Sequence, residues 1–433
     1  MVGSNLKLKR LVALLLDWFG RNARDLPWRR TRDPYAIWVS EIMLQQTQVK
    51  TVIPYWERWM RELPTLQAAA NASPAKIHKL WEGLGYYTRV RNLQKAAQQI
   101  VEKHAGRFPQ SFDDVFALPG IGRYTTGAIC SIAFNQPTPI LDGNVIRVLT
   151  RVFGIKENPR EKETNRSLWQ IAEALVARAS RVTRHVSRPK SRTRTKDEDN
   201  STISHFNQSL MELGALVCTP RNPQCDICPV NKLCVAFRED RVGQLPNLGK
   251  RETATARYFV ALVVERKGRF LVRQRPAGVV NAHLWEFPNV EVAAGILPAV
   301  EPGVPPGGKN SDNFKPVKMS RKIPGGKMPS STAGGTPAAT RLAHAAKRFG
   351  LEPRDAKPLC TVKHSITRYR ITLEAFRARL GEQSSTTPKI PRTWRPRPTE
   401  DDGVWMKPAK LDSLAFTSAH RKILGALKTG TAR

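Results

Sequence analysis

The sequence predicts a multidomain protein, with a mainly α N-terminal domain ending in a metal-binding cysteine loop and an α+β domain after it. Three observations carry this. Apolar residues recur at helical spacing from about residue 5 to residue 180. Four cysteines then stand at C-x6-C-x2-C-x5-C, as Cys218, Cys225, Cys228 and Cys234. From Arg257 onward the pattern turns to short β-rich runs. A chain of 433 residues is long enough for two sizeable cores.

The elements follow in order. Helical periodicity covers Leu6–Phe19, Ile37–Trp59, Ala75–Leu80, Leu93–Val101 and Ser167–Ala179. Ser73 before Pro74 is a cap followed by a first-turn proline. Residues 181–204 are rich in Arg, Lys, Ser and Thr and read as a disordered insertion. Helix returns at His205–Val217 and leads into the cysteines. Residues 235–256 read as a linker. Tyr258–Val264 and Phe270–Arg273 form a hairpin about Lys267-Gly268. Residues 296–340 repeat Pro-Gly-Gly-Lys and read as a second, low-complexity insertion. A helix over Arg341–Phe349, strands over Thr361–Ala375 and a short helix closing Leu411–Leu427 complete the pattern.

Lys and Arg total 71 against 36 Asp and Glu, a net charge of +35. That excess points to a polyanionic partner, with nucleic acid as the default, although basic loops account for part of it. The apolar run Val12–Leu16 is too short to cross a bilayer and reads as an amphipathic helix. Cys130 and Cys360 are isolated and read as buried thiols. Free thiols beside a metal loop fit a reducing compartment, so a cytoplasmic, nucleoid-associated protein is expected.

Four stretches carry chemistry. Four thiolates in one short loop suit a [4Fe–4S] cube; a structural zinc loop is the alternative, and a disulfide framework fits less well. Leu118-Pro119-Gly120-Ile121-Gly122 lies between helical segments Phe112–Ala117 and Thr125–Ala133. Its glycines let backbone N–H groups approach a phosphate, and the next helix turns its positive end to the same anion. A plain helix–helix turn explains the same residues. Asp142 opens a helical run and is an N-cap candidate. Glu41 lies in an apolar helical segment. Such a residue is usually on an exposed face, but a buried one has a raised pKa and serves as a proton donor.

Taken together, these motifs resemble the MutY-type adenine DNA glycosylases of the helix-hairpin-helix superfamily. The resemblance rests on Ser40-Glu41 with Leu44–Gln48, on Gly83-Leu84-Gly85-Tyr86-Tyr87, on Leu118–Gly122, on Leu141–Asn144 and on the cysteine loop, in this order. It implies a helical glycosylase domain over residues 5–234 whose cysteines hold a [4Fe–4S] cluster. It also implies a Nudix-like lesion-recognition domain over residues 257–427, without the Nudix catalytic signature. Related endonuclease III enzymes, glycosylase–lyases acting on oxidised pyrimidines, place a lysine nucleophile where this chain has Tyr124, and lack a glutamate matching Glu41. Those two positions favour monofunctional removal of adenine opposite 8-oxoguanine or guanine. The lyase reading and a silent DNA-binding scaffold are the alternatives.

By the same resemblance, Glu41 protonates the leaving adenine and later helps to activate water. Asp142, held ionised, stabilises the sugar cation, while Asn144 and Tyr124 orient the two carboxyl groups. Arg24, Trp28, Arg29, Leu44 and Gln208 surround the extruded base. Gln46 and Tyr86 enter the base stack, and Gln45, Leu118, Gly120 and Gly122 complete the DNA contacts. Thr367 and Arg368 stand where the family reads the lesion, but the family's aromatic and histidine are replaced by Ile366 and Arg368. The expected partner is double-stranded DNA carrying the mispair, bound by a monomer.

Overall fold

The computed structural model describes residues 5–185, 201–249, 253–292, 337–349, 354–366, 368–379 and 403–429. They fall into two compact units, Met1–Glu252 and Thr253–Arg433.

The first unit is helical. It runs through α1 (Asn5–Asn22), a 3-10 turn (Pro27–Arg29), α2 (Pro34–Leu44), α3 (Val49–Glu62), α4 (Leu66–Asn71), α5 (Pro74–Leu80) and α6 (Thr88–Lys103). It continues with α7 (Phe112–Phe116), α8 (Arg123–Phe134), α9 (Gly143–Phe153), α10 (Lys162–His185), α11 (Thr202–Leu216) and α12 (Val235–Arg238). Local chemistry sets several of these boundaries. The side chains of Thr65, Ser73, Ser111 and Asp142 accept the first-turn N–H groups of α4, α5, α7 and α9. Asn135 and Gly154 close α8 and α9 in the left-handed conformation.

Leu11 and Leu15 of α1, Val148 of α9, Leu175 of α10 and Phe206 and Leu213 of α11 meet in one core. Helix α2 lies deeper, with every residue from Tyr35 to Met43 buried. Such a helix is apolar on all sides because it touches neighbours all round. That placement carries Glu41 into the interior.

Three expectations change. The single helical run expected over Ile37–Trp59 is two helices, because the backbone turns at Gln46 with φ +56°. The insertion expected over 181–204 is shorter at both ends: α10 continues to His185 and α11 starts at Thr202. Residues 186–200 lie outside the described residues. The first part of the expected 235–256 linker is packed on the helical unit. Ala236 and Leu245 are buried there, and the Arg151 guanidinium donates to the Leu245 carbonyl at 2.8 Å.

The second unit is α+β, as expected. It contains β1 (Thr255–Arg266), β2 (Arg269–Gln274), β3 (Trp285–Glu286), β4 (Asn289–Val292), α13 (Pro337–Arg348), β5 (Arg354–Ile366) and β6 (Tyr369–Arg379). It ends with β7 (Val404–Met406), α14 (Pro408–Leu411) and α15 (Ser418–Thr429). The sheet order is β3-β2-β1-β6-β5, with β4 paired to β1 and β7 to β2. β1 runs parallel to β6, while the β1–β2 and β5–β6 pairs are antiparallel.

Alternation along β1 sorts its side chains between two cores. Ala261 and Val263 pack with Ile423 and Leu424 of α15, whereas Val260, Leu262 and Val264 pack with Ala345 of α13. A strand covered on both faces reads as an unbroken apolar run, which is what Val260–Val264 shows. Helix α13 begins at Pro337, inside the stretch expected as the 296–340 insertion. Residues 296–336 lie outside the described residues.

Candidate active site

The site gathers around Glu41 of α2, Tyr124 of α8 and the N-terminus of α9. Glu41 is 5% exposed. Burial pushes its carboxyl up to about 7, opposed by the Tyr124 hydrogen bond, raised further by the charge of Asp142 and lowered by Arg29. The Tyr124 hydroxyl donates to Glu41 Oε2 at 2.8 Å and sits 3.3 Å from Met211 Sδ. Burial raises the Tyr124 pKa most, and both carboxylates add to it, which places one phenol in the field of both acids.

Asp142 caps α9. Its Oδ1 accepts the Val145 N–H at 2.7 Å and its Oδ2 accepts Asn144 Nδ2 at 2.8 Å. Burial raises its pKa, while these hydrogen bonds and the Arg147 cation pull it back. Glu41 has a single hydroxyl donor; Asp142 has two N–H donors and the positive end of a helix. Burial shifts both acids upward, and Asp142 has more donors opposing that shift than Glu41. Asp142 is expected to be ionised; burial nonetheless shifts it upward on balance.

Asn144 Oδ1 in turn accepts from Arg147 at 2.8 Å. Arg147 also donates to the carbonyls of Cys218 and Gly214, at 2.7 and 2.6 Å. Gly214 lets α11 lie against α9, because a Cβ there would stand 2.6 Å from Asn144 Cβ.

Of the residues expected around the base, the two arginines are engaged by a carboxylate. Arg24 and Arg29 both bind the Glu212 carboxylate, through bonds of 2.7–3.1 Å. Glu212 is 1% exposed and the two guanidinium groups hold it down to about 2. Sequence reasoning passed over it, although it shows the signal that singled out Glu41: a lone acid among apolar helical neighbours. Trp28 is buried, with its ring edge-on to Trp56. Gln208 is buried and donates to Ser204 Oγ at 3.0 Å, and Leu44 is half-buried.

Of the residues expected to touch DNA, Gln46 is exposed and Tyr86 is 47% exposed. Gln45 turns its amide toward Thr125 Oγ1 at 3.5 Å. Leu118 is 2% exposed, so its side chain anchors the hairpin and any DNA contact it makes is through its backbone. Gly120 has φ +77°, and a Cβ there would strike Asn92. Gly122, exposed, is the N-cap of α8. In the second unit Arg368 is exposed and stacks on the Tyr369 ring, while Thr367 lies outside the described residues.

Cys218, Cys225, Cys228 and Cys234 line one cavity, and the charge of Cys218 acts on each of the other three. Arg151 Nη1 donates to Cys218 Sγ at 3.3 Å. Four converging thiols with a guanidinium beside them fit an iron–sulfur cube, whose sulfur ligands carry negative charge that a cation offsets. Among the described residues, no group of three or more His, Cys, Asp or Glu is arranged to hold a single metal ion. Also among the described residues, no helix is long and apolar enough to cross a membrane.

Comparison with known proteins adds to this geometry. Residues 39–174 match the HhH-GPD superfamily of base excision DNA repair proteins. Residues 218–234 match the iron–sulfur binding domain of endonuclease III. The chain therefore carries a [4Fe–4S] cluster, which removes the zinc alternative, and the four cysteines are the residues that fit it. An adenine DNA glycosylase of Rattus norvegicus is 40% identical over 328 residues, covering 64% of this chain and 59% of the relative. The chain thus spans less than two thirds of that relative's length. An adenine DNA glycosylase of Buchnera aphidicola subsp. Baizongia pistaciae is 36% identical over 309 residues, covering 70% of this chain and 79% of the relative. A solved thermostable thymine-DNA glycosylase is 28% identical with a TM-score of 0.46, covering 55% of this chain and 99% of its own. By its sequence match to relatives it largely spans, this chain belongs to the adenine DNA glycosylase family.

Proposed function

We propose that the protein is a monofunctional glycosylase that hydrolyses the N-glycosidic bond of adenine opposite 8-oxoguanine or guanine in duplex DNA. The observation that carries this is the Glu41 carboxyl, buried, bonded to Tyr124 and raised to about 7. An acid at that pKa is half protonated near neutral pH and is matched to general acid catalysis. The base must leave the stack to reach it.

Glu41 then gives its proton to the leaving adenine as the glycosidic bond breaks and its electron pair goes to the base. Positive charge is left on the sugar, and the carboxylate of Asp142 stabilises it. Water adds to the sugar carbon and its proton passes to Glu41, restoring the acid. Tyr124 offers no amine for a Schiff base, so the strand itself stays whole. The cluster shapes the loop that its four cysteines form, and no chemical step passes through it. Gly120 and Gly122 present backbone N–H groups to a phosphate. Arg368 of the second unit contacts the opposite strand near the lesion. The protein acts as a monomer in the cytoplasm, with DNA as its partner.

The test is a single-turnover assay on duplexes holding A opposite 8-oxoguanine, A opposite G, and thymine glycol, with and without alkali. Strand breaks at adenine that appear only after alkali are expected. Glu41→Gln should slow release by roughly 10³-fold, within the range general acids contribute, while lesion-duplex binding stays near wild type. Unchanged release by that variant overturns the assignment, and breaks without alkali overturn the monofunctional reading.

A further inference from the structure

Two non-glycine residues on the expected DNA face have left-handed backbones, Gln46 at φ +56° and Tyr86 at φ +47°. Residues other than glycine rarely adopt this conformation unless their surroundings hold them there. The two lie in separate loops, one after α2 and one before α6. A single side chain ties the loops together.

The guanidinium of Arg89, in the first turn of α6, sits between them. Its Nη1 donates to the carbonyls of Ile42, Met43 and Gln45 at 2.9, 3.1 and 2.5 Å. Its Nη2 donates to the carbonyls of Leu84 and Gly85 at 3.1 and 3.2 Å, and to Thr47 Oγ1 at 3.4 Å. Ile42 and Met43 belong to the last turn of α2, whose carbonyls have no helical partner and whose helix end is negative. The guanidinium also stacks on the rings of Trp81 and Tyr86, 5.5 and 5.4 Å from their centres. Burial lowers the Arg89 pKa to about 10, which leaves it charged at neutral pH.

We propose that Arg89 is a positioning residue that joins the 42–47 and 84–86 loops into one rigid wedge, so that Gln46 and Tyr86 enter the duplex together as the target base leaves. The reading of the chain as a base-extruding glycosylase underlies this. A cavity lined by Gln45, Tyr86, Arg89, Asn92 and Gly120 lies where the two loops meet the glycine hairpin. Side-chain insertion works by filling the space a base vacates, which needs the inserted groups in place before the base moves. A planar fork with five donors spans both loops at once, whereas an ammonium presents three donors from one point. Lysine at 89 therefore holds one loop and loses the other.

The experiment uses the full-length, cluster-loaded protein in the Glu41→Gln background, where chemistry is slowed and the base stays attached. 2-Aminopurine replaces the target adenine, and its fluorescence reports unstacking at saturating protein. The Glu41→Gln parent should give a clear rise. Adding Arg89→Met should cut that rise about tenfold, since a small misplacement of positioning groups has effects of that size. Arg89→Lys should fall between them. Cluster absorbance and duplex affinity should stay near the parent's, with the melting temperature lowered by the carbonyls Arg89 leaves unpaired; a general loss of structure would lower cluster absorbance and affinity together with the signal. If Arg89→Met does not fold, Arg89→Lys decides. A parent with no rise removes the glycosylase reading itself. A parent that rises, with folded Arg89 variants rising equally, removes only the role of Arg89.

Discussion

Two glutamates, one in each unit, are equally buried and have opposite fates. Glu41 in the helical unit has one hydroxyl partner and is raised to about 7. Glu286 on β3 of the second unit is 1% exposed and is bound by the guanidinium groups of Arg273 and Arg275. Its pKa is lowered even though burial, the largest influence, acts to raise it. Beside it His420 is buried and pushed down to about 4 by desolvation, and its Nδ1 accepts the Phe287 N–H at 3.1 Å. Glu212 repeats the Glu286 pattern inside the helical unit with Arg24 and Arg29. Burial alone raises an acid; the number of cations at its oxygens decides whether it becomes a proton donor or a fixed anion.

The largest effect should come from breaking the fixed anion. Glu286→Gln leaves the buried Arg273 and the half-buried Arg275 without their shared carboxylate and should destabilise the second unit by about 3–5 kcal/mol. Urea unfolding checks this. A loss below about 1 kcal/mol would make the ion triplet incidental to stability.

Glu41 should show the opposite pH behaviour. Its folded pKa of about 7 exceeds the ordinary value of 4.5. Its contribution to stability is full below the ordinary value and is lost as pH rises through about 7. The size is about 3 kcal/mol from the shift alone. Base release should lose its acid over the same window, giving an alkaline limb near pH 7. Tyr124→Phe removes a hydrogen bond that lowers the Glu41 pKa, so that limb should move to higher pH. Measured rate–pH profiles that leave the limb in place would break the link between the phenol and the acid. For Glu286 the sign is reversed: its lowered pKa gives stability that is lost as pH falls.

A smaller effect should follow from closing the gap between α9 and α11. Gly214→Ala puts a methyl 2.6 Å from Asn144 Cβ and should cost about 1–2 kcal/mol of stability. The shift falls on the cap that holds Asp142, so base release should drop while duplex binding holds. Equal losses in both would place the damage outside the Asp142 environment.

Much of the site was legible because it is local in sequence. Asp142 as a cap, the hairpin glycines and the four cysteines each depend on neighbours within a turn or a short loop. Glu41 announced itself as an acid in an apolar helix. Glu212 carried the same signal, but its fate as a fixed anion depends on distant arginines, as the role of Arg89 depends on a distant loop. Glu286 has its arginines only 11 and 13 positions away, yet a β-rich run does not show that they converge on it. Arg24 and Glu212 are 188 positions apart, and Arg89 reaches back 44 to 47 positions to the α2 loop. Leu118 shows its place in the hairpin motif but not the direction of its side chain, which packing alone set.

Residue types and short spacings by themselves determined the two architectures, the clustering of the four cysteines and the helix cap at Asp142, whereas the pairing of Glu41 with Asp142 came from the family resemblance. Tertiary packing decided which acids carry a proton, which arginines are committed to carboxylates and how two separate loops become one wedge. Those outcomes depend on desolvation and on charges brought together from distant parts of the chain, and neither exists until the chain is folded.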